Sequence, residues 1–132
     1  MTERFCRYLE LTEDESHMIH MAAHVHDIGK IGIPDSILQK PGKLTMQEWN
    51  VMKQHSRIGA DILNRSAYLH EIADIVLHHH ERWDGQGYPD GLAEEVIPYG
   101  SRVIAVCDSI DAMLGTRSYR KSLTMEQCRQ EI

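Results

Sequence analysis

Several features that would settle a protein's class are missing from these 132 residues. No apolar run approaches the roughly 20 residues that span a bilayer, and no signal-peptide pattern is present. The expectation is therefore a cytoplasmic protein without membrane contact. Alternation of apolar and polar residues never lasts more than a few positions, which speaks against a sheet. No GxxxxGK[ST] occurs, so no P-loop cradles a phosphate. A basic excess is missing too. With a formal charge of −6, the chain is not expected to bind a nucleic-acid polymer. Cysteine is scarce: Cys6, Cys107 and Cys128 are odd in number, widely spaced and without a CxxC. They read as free thiols in a reducing compartment.

What the chain does hold is histidine, nine in all, on helical stretches. Thr12 with Glu15 forms a capping box that opens a helix over residues 12–28. Its apolar stripe runs through Ile19, Ala22 and Ala23 and reaches His26 and Asp27, so that pair points inward. Gly29 is expected to stop the helix by taking the left-handed cap conformation. Residues 31–43 read as a loop with one short helical turn after Pro34. Thr45 with Glu48 opens a helix to residue 64, on which Val51, His55, Ile58 and Ile62 share a face. In a helix over residues 69–81, His79 and His80 continue the stripe of Ile72, Ile75 and Val76, while His78 falls off it. Residues 84–91, DGQGYPDG, are a structured loop. Ser101 begins a further helix with a core stripe of Val103, Val106, Cys107, Ile110 and Leu114, and Asp108 stands at its edge. Gly115 ends that helix, and Thr124 with Gln127 caps another. The expected fold is all-α, a compact bundle of about five to six helices forming one domain over residues 1–132.

The side chains that converge are imidazoles and carboxylates: His26, Asp27, His55, His79, His80 and Asp108. No cysteine ligand lies near them, so a structural zinc site is disfavoured. The mixed nitrogen and oxygen set fits an open hydrolytic centre of iron, manganese, nickel or zinc. Two ions bridged by Asp27 would generate hydroxide at neutral pH and clamp both phosphoryl oxygens of a phosphodiester. Lys30, after Gly29, is placed to reach a phosphate oxygen over the metals. Asp111, one turn after Asp108, is either a carboxylate that orients a ligand histidine or a solvated acid. His17, His20, His24, His70 and His78 are expected to be structural or solvent-facing.

HDIGKIGIPDSIL (residues 26–38), KPGKLT (40–45) and HHHERWDGQGYPDG (78–91) together resemble the HD-GYP domain, a branch of the HD phosphohydrolase superfamily. The resemblance covers roughly residues 22–123. It implies an all-α fold and metal-dependent hydrolysis of the bacterial second messenger cyclic di-GMP to pGpG, in some members on to GMP. It implies His26, Asp27, His55, His79, His80 and Asp108 as ligands of a two- or three-metal centre, iron or manganese first. By the same resemblance Lys30 contacts phosphate, while Arg117 and Arg120 hold the substrate's phosphates or guanines. Gly87, Tyr88 and Pro89 form the signature loop, tied to the shape of the substrate site and to docking of GGDEF-type partners. A homodimer stays open.

The sequence departs from that family at three points. The further histidine the family carries upstream of His26 has no counterpart, unless His17 or His20 substitutes. The usual TSDRPYR reads LGTRSYR at residues 114–120, and both terminal helices are expected to be incomplete. Two rival readings follow: a degenerate domain that binds ligand or a GGDEF partner without catalysis, and an HD hydrolase acting on another nucleotide.

Overall fold

The computed structural model describes residues 1–114 and 124–131, with no strand among them. In chain order the helices are α1 (Thr2–Tyr8), α2 (Glu13–Val25), α3 (Asp35–Leu38), α4 (Met46–Met52), α5 (His55–Leu63), α6 (His70–Leu77), α7 (Tyr99–Leu114) and α8 (Met125–Glu131). Tight 3-10 turns occupy Ile28–Gly32, Ala67–Leu69 and Glu94–Val96. No helix of the described residues is long and apolar enough to cross a membrane. All three cysteines are free and buried.

The capping boxes form as expected. Thr12 caps α2 and Thr45 caps α4, each hydroxyl accepting from the backbone N–H three residues on, with Glu15 and Glu48 returning the bond. Thr124 and Gln127 make the same exchange ahead of α8. Each satisfies two of the amide donors that a helix start leaves unpaired.

α6 is the central element, packed against α2, α5 and α7. Its Ala73 and Val76 are fully buried, in one core with Ile19, Ala22, Leu63 and Ile104. Each large apolar side chain removed from water there contributes about 1.5–3 kcal/mol. Ser101, also buried, donates to the carbonyl of Ile75 at 2.8 Å and ties the start of α7 to α6. Gly100 allows that approach: a methyl there would lie 2.7 Å from Ile75.

Several expected boundaries change. There are eight α-helices among the described residues rather than five or six, because long stretches are divided. The helix expected over residues 12–28 ends at Val25, with His26 as its cap. The helix expected over residues 45–64 breaks at Lys53 and Gln54. There the amide of Gln54 bonds to Val51, three residues back, and α5 restarts at His55. The break also turns the buried face. Val51 and Ile62 are exposed, while His55, Ser56, Gly59, Ala60 and Leu63 face inward. α6 is shorter than expected and stops before the histidines, and α7 begins at Tyr99 instead of Ser101. Val106, Ile110 and Leu114 are only partly buried. The expected stop at Gly115 falls outside the described residues.

Candidate metal centre

The site lies where α2 ends, α5 begins and α6 gives way to the loop. Gly29 sets this junction, and not by a left-handed cap. It sits in the 3-10 turn after Asp27, with its α-carbon pressed on the start of α5. A methyl there would fall 1.8 Å from the carbonyl oxygen of His55 and 2.5 Å from the amide of Gly59. Only glycine admits backbone so close. That contact brings His26 and Asp27 beside His55.

Three histidines are oriented by the same device. The Nδ1–H of His26 donates to the carbonyl of Ala23 at 2.8 Å. His55 does so to Met52 at 2.8 Å, and His79 to Val76 at 2.6 Å. A proton held on Nδ1 leaves the lone pair on Nε2, the tautomer a metal requires. The orienting partner is a backbone carbonyl three residues back in every case. Asp111 has no part in it; it is exposed, at a groove it lines with Met1, Arg4, Phe5 and Tyr8.

The ligand atoms fall into two overlapping groups, His55–His79–His80 and His26–Asp27–His79, each with its atoms within 4.8 Å of one another. His79 belongs to both. It is 1% exposed, and its Nε2 is buried without a hydrogen-bond partner. A buried lone pair left unmatched is costly, and a cation is what this one fits. His80 Nε2 stands 3.1 Å from His55 Nε2. Two nitrogens bonded to one ion at roughly 2.0–2.1 Å would lie about 2.9–3.4 Å apart, depending on the coordination angle. Asp27 faces both groups. Its Oδ2 is 3.6 Å from His26 Nε2 and its Oδ1 is 3.6 Å from His55 Nε2.

Charge is arranged to match. Burial lowers the His79 imidazole to about 4 and the His80 imidazole to about 3, with neighbouring imidazoles pushing the same way. Burial lowers His55 as well. All three are neutral at pH 7 and offer lone pairs. Burial alone would raise the Asp27 carboxyl. The hydrogen bond from Lys30, aided by His26 and His55, outweighs it and holds the group below its ordinary value. The Lys30 ammonium lies 2.7 Å from Asp27 Oδ2. The Tyr88 phenol is pushed well up by burial and by the charges of Asp27 and Asp108, so it keeps its proton.

Of the residues expected from sequence, His26, Asp27, His55, His79 and His80 come together, with Lys30 against them. Asp108 does not join either group. It is exposed on α7, one step round from the buried Cys107, and its charge registers at Tyr88. Arg117 and Arg120 lie outside the described residues. The signature loop arrives as a wall. Tyr88 stacks on His80, ring centres 4.8 Å apart, and Gly87 lies so close to Glu81 that a methyl would meet its Cα at 2.4 Å.

Two participants were missed in the sequence. Trp49 of α4 stands edge-on to Tyr88 at 6.1 Å; no spacing in the sequence links the two. His78, read as off the helix face, is buried. Its Nδ1 faces the Asp74 carbonyl at 3.0 Å and its Nε2 faces Asp90 at 3.1 Å.

A family model described as HD domain matches residues 1–132. This chain belongs to the HD-domain family. The HD domain is 53% identical to the cyclic di-GMP phosphodiesterase response regulator RpfG of Xanthomonas campestris pv. campestris over 120 residues, 89% of this chain and 32% of that protein. It is 53% identical to a cyclic di-GMP phosphodiesterase of Thermotoga maritima over 116 residues, 86% of this chain and 32% of that protein. It is also 47% identical to the 3'3'-cGAMP-specific phosphodiesterase 2 of Vibrio cholerae over 132 residues, 98% of this chain and 25% of that protein. The HD domain thus spans a quarter to a third of the length of these curated relatives.

Proposed function

We propose that this HD domain is a metal-dependent phosphodiesterase that hydrolyses cyclic di-GMP to pGpG in bacterial second-messenger signalling. The observation that carries the reading is the unpartnered Nε2 of buried His79, shared by two histidine and aspartate groups. His26, Asp27, His55, His79 and His80, with Asp108 proposed as a further ligand, would hold two or three divalent ions. The mixture of ligands suits iron, manganese, nickel or zinc, and the resemblance to the HD-GYP domain puts iron or manganese first. Such ions, when bound, would supply an acidified water and draw charge from the phosphoryl oxygens.

The chain's own residues do the rest. Three imidazoles arrive with their protons already parked on Nδ1, so no reorganisation is needed to present a lone pair. Asp27 stays ionised and spans both groups. Lys30, paired here with Asp27, is the group that meets a phosphate oxygen and stabilises the charge developing there. Tyr88 closes one side of the site, and Arg117 and Arg120 take the substrate's phosphates or guanines. In this reading the domain works in the cytoplasm, and the loop carrying Gly87, Tyr88 and Pro89 is where a GGDEF-type cyclase docks.

A second substrate of the same chemistry is 3'3'-cGAMP, favoured by the relative of that specificity which matches across the chain. The test is to load the purified chain with Mn²⁺ or Fe²⁺ anaerobically, supply each cyclic dinucleotide and follow the linear product. The expected result is pGpG from cyclic di-GMP. Binding of cyclic di-GMP without turnover in the fully metallated protein would replace the reading with a ligand-binding module.

A further inference from the structure

The loop over residues 84–91 carries Tyr88 to the metal centre, and its three glycines give it little stiffness of its own. Main-chain bonds tie it to the segment that follows α6: Gly85 N to Arg82 O at 2.8 Å and Tyr88 N to His80 O at 3.2 Å. Buried Glu81 adds a third tie. Its Oε1 accepts from the amides of Asp90 and Gly91 at 2.7 and 3.0 Å. All of these join the loop to the segment it leaves. A different contact reaches across to α5. Asp90 accepts from Arg57 Nη2 through Oδ1 at 2.6 Å and turns Oδ2 to His78 Nε2 at 3.1 Å. Arg57 stands two residues after His55, and His78 one before His79. A single carboxylate therefore spans the two segments that deliver the buried histidines.

We infer that Asp90, held by Arg57 and His78, is a positioning residue: it latches the loop to α5 and thereby sets where the Tyr88 ring stands over His80 and against Trp49. The inference rests on the reading of Tyr88 as one side of the substrate site. The latch touches neither substrate nor metal. Arg57 and Asp90 are both partly solvent-exposed, and exposed pairs of this kind add little to global stability. What the pair supplies is a fixed separation between loop and helix, since a carboxylate with both oxygens engaged has no free rotation left. The aromatic contact between Trp49 and Tyr88 reports that separation directly, because α4 leads into α5 while Tyr88 rides on the loop.

The test uses Asp90→Ala and Arg57→Ala, with Arg57→Lys as the conservative partner, each in a Trp83→Phe background. Trp49 is then the sole tryptophan. Three quantities are read: acrylamide quenching of Trp49, bound metal per chain, and steady-state kinetics on cyclic di-GMP. Expected are greater quenching of Trp49 in both alanine variants, metal content equal to the parent, and recovery toward parent quenching in Arg57→Lys. KM should rise about tenfold, the scale on which outer partners of a site act, with kcat little changed. Unchanged quenching in both alanine variants would overturn the latch, and so would loss of metal in step with the change in quenching. The fluorescence result stands whether or not the parent hydrolyses cyclic di-GMP, so a wrong substrate and a wrong latch give different outcomes. If Asp90→Ala fails to fold by circular dichroism, half-exposed Arg57→Ala still decides.

Discussion

The site has two halves built on different principles. On the buried side, His26, His55 and His79 take their orientation from backbone carbonyls, and the approach of the first two is pinned at Gly29. On the open side, Lys30, Asp27 and Tyr88 are held by ion pairs, ring contacts and charge, with side chains partly in water. Backbone bonds cannot be exchanged for solvent without opening the fold; side-chain ion pairs can. The lesson is a division of labour: the buried half is fixed in the geometry proposed to hold metal, while in the proposed reading Lys30 of the open half can exchange Asp27 for a phosphate.

Removing a residue that serves both halves should have the largest effect. Asp27→Ala is expected to lose bound metal and hydrolysis together, both read on the same preparation by elemental analysis and product assay. A variant that kept its metal would separate Asp27 from the buried half. Next comes Gly29→Ala. A methyl 1.8 Å from a backbone oxygen forces α5 away, and the expected loss is about 4 kcal/mol or more in denaturant unfolding, with metal content falling as well. Near-parent stability would show that the crossing of the two backbones can relax.

The open half should respond more narrowly. Lys30→Met is expected to lower kcat about 10²–10³-fold, the scale for removing one preorganised electrostatic contact, with metal per chain unchanged. Loss of metal instead would assign Lys30 to the buried half. The smallest effect is the dependence of metal-free stability on pH. His79 is lowered to about 4 in the fold, against an ordinary value near 6.5. The unfolded chain therefore takes up the proton first. Stability is fully present above pH 6.5 and is lost as pH falls toward 4, by on the order of 3 kcal/mol from this residue. Asp27 behaves differently. Its lowered carboxyl contributes stability above its unfolded value of about 3.9 that is lost as pH falls through the folded one. Urea midpoints at closely spaced pH values should show the loss setting in below pH 6.5 with the buried histidines, before Asp27 adds to it below about 3.9.

Much of this was legible because it is local. Thr12 with Glu15, Thr45 with Glu48 and Thr124 with Gln127 are caps that three residues of spacing announce, and all of them form. The inward stripes of α2 and α6 needed only helical periodicity, and His26, Asp27, His79 and His80 do come together although the helices themselves stop at Val25 and Leu77. What escaped was set by partners far along the chain. No proline or glycine marks the break at Lys53 and Gln54, where α5 turns to meet Gly29. Gly29 itself looked like a cap because its neighbour, the backbone of His55, is invisible to spacing. The buried face of α5 holds Ser56, Gly59 and Ala60 beside His55 and Leu63, and the three small residues do not register as an apolar stripe. His78 is buried only because Asp90, twelve positions on, folds back over it. Asp108 was placed one step from a core stripe, and that one step carries it to the surface of α7.

The crossing of Gly29 over Gly59 carries a further consequence. With no side chain between them, the turn after Asp27 and the first turns of α5 have no cushion, so they share a common fate in any breathing motion. A fluctuation that frees His55 also frees His26 and Asp27, and His79 is then left with a single neighbour. Metal release should therefore be all-or-none. If the two groups each hold an ion as proposed, a chelator is expected to draw both at one rate, without accumulation of partially stripped molecules.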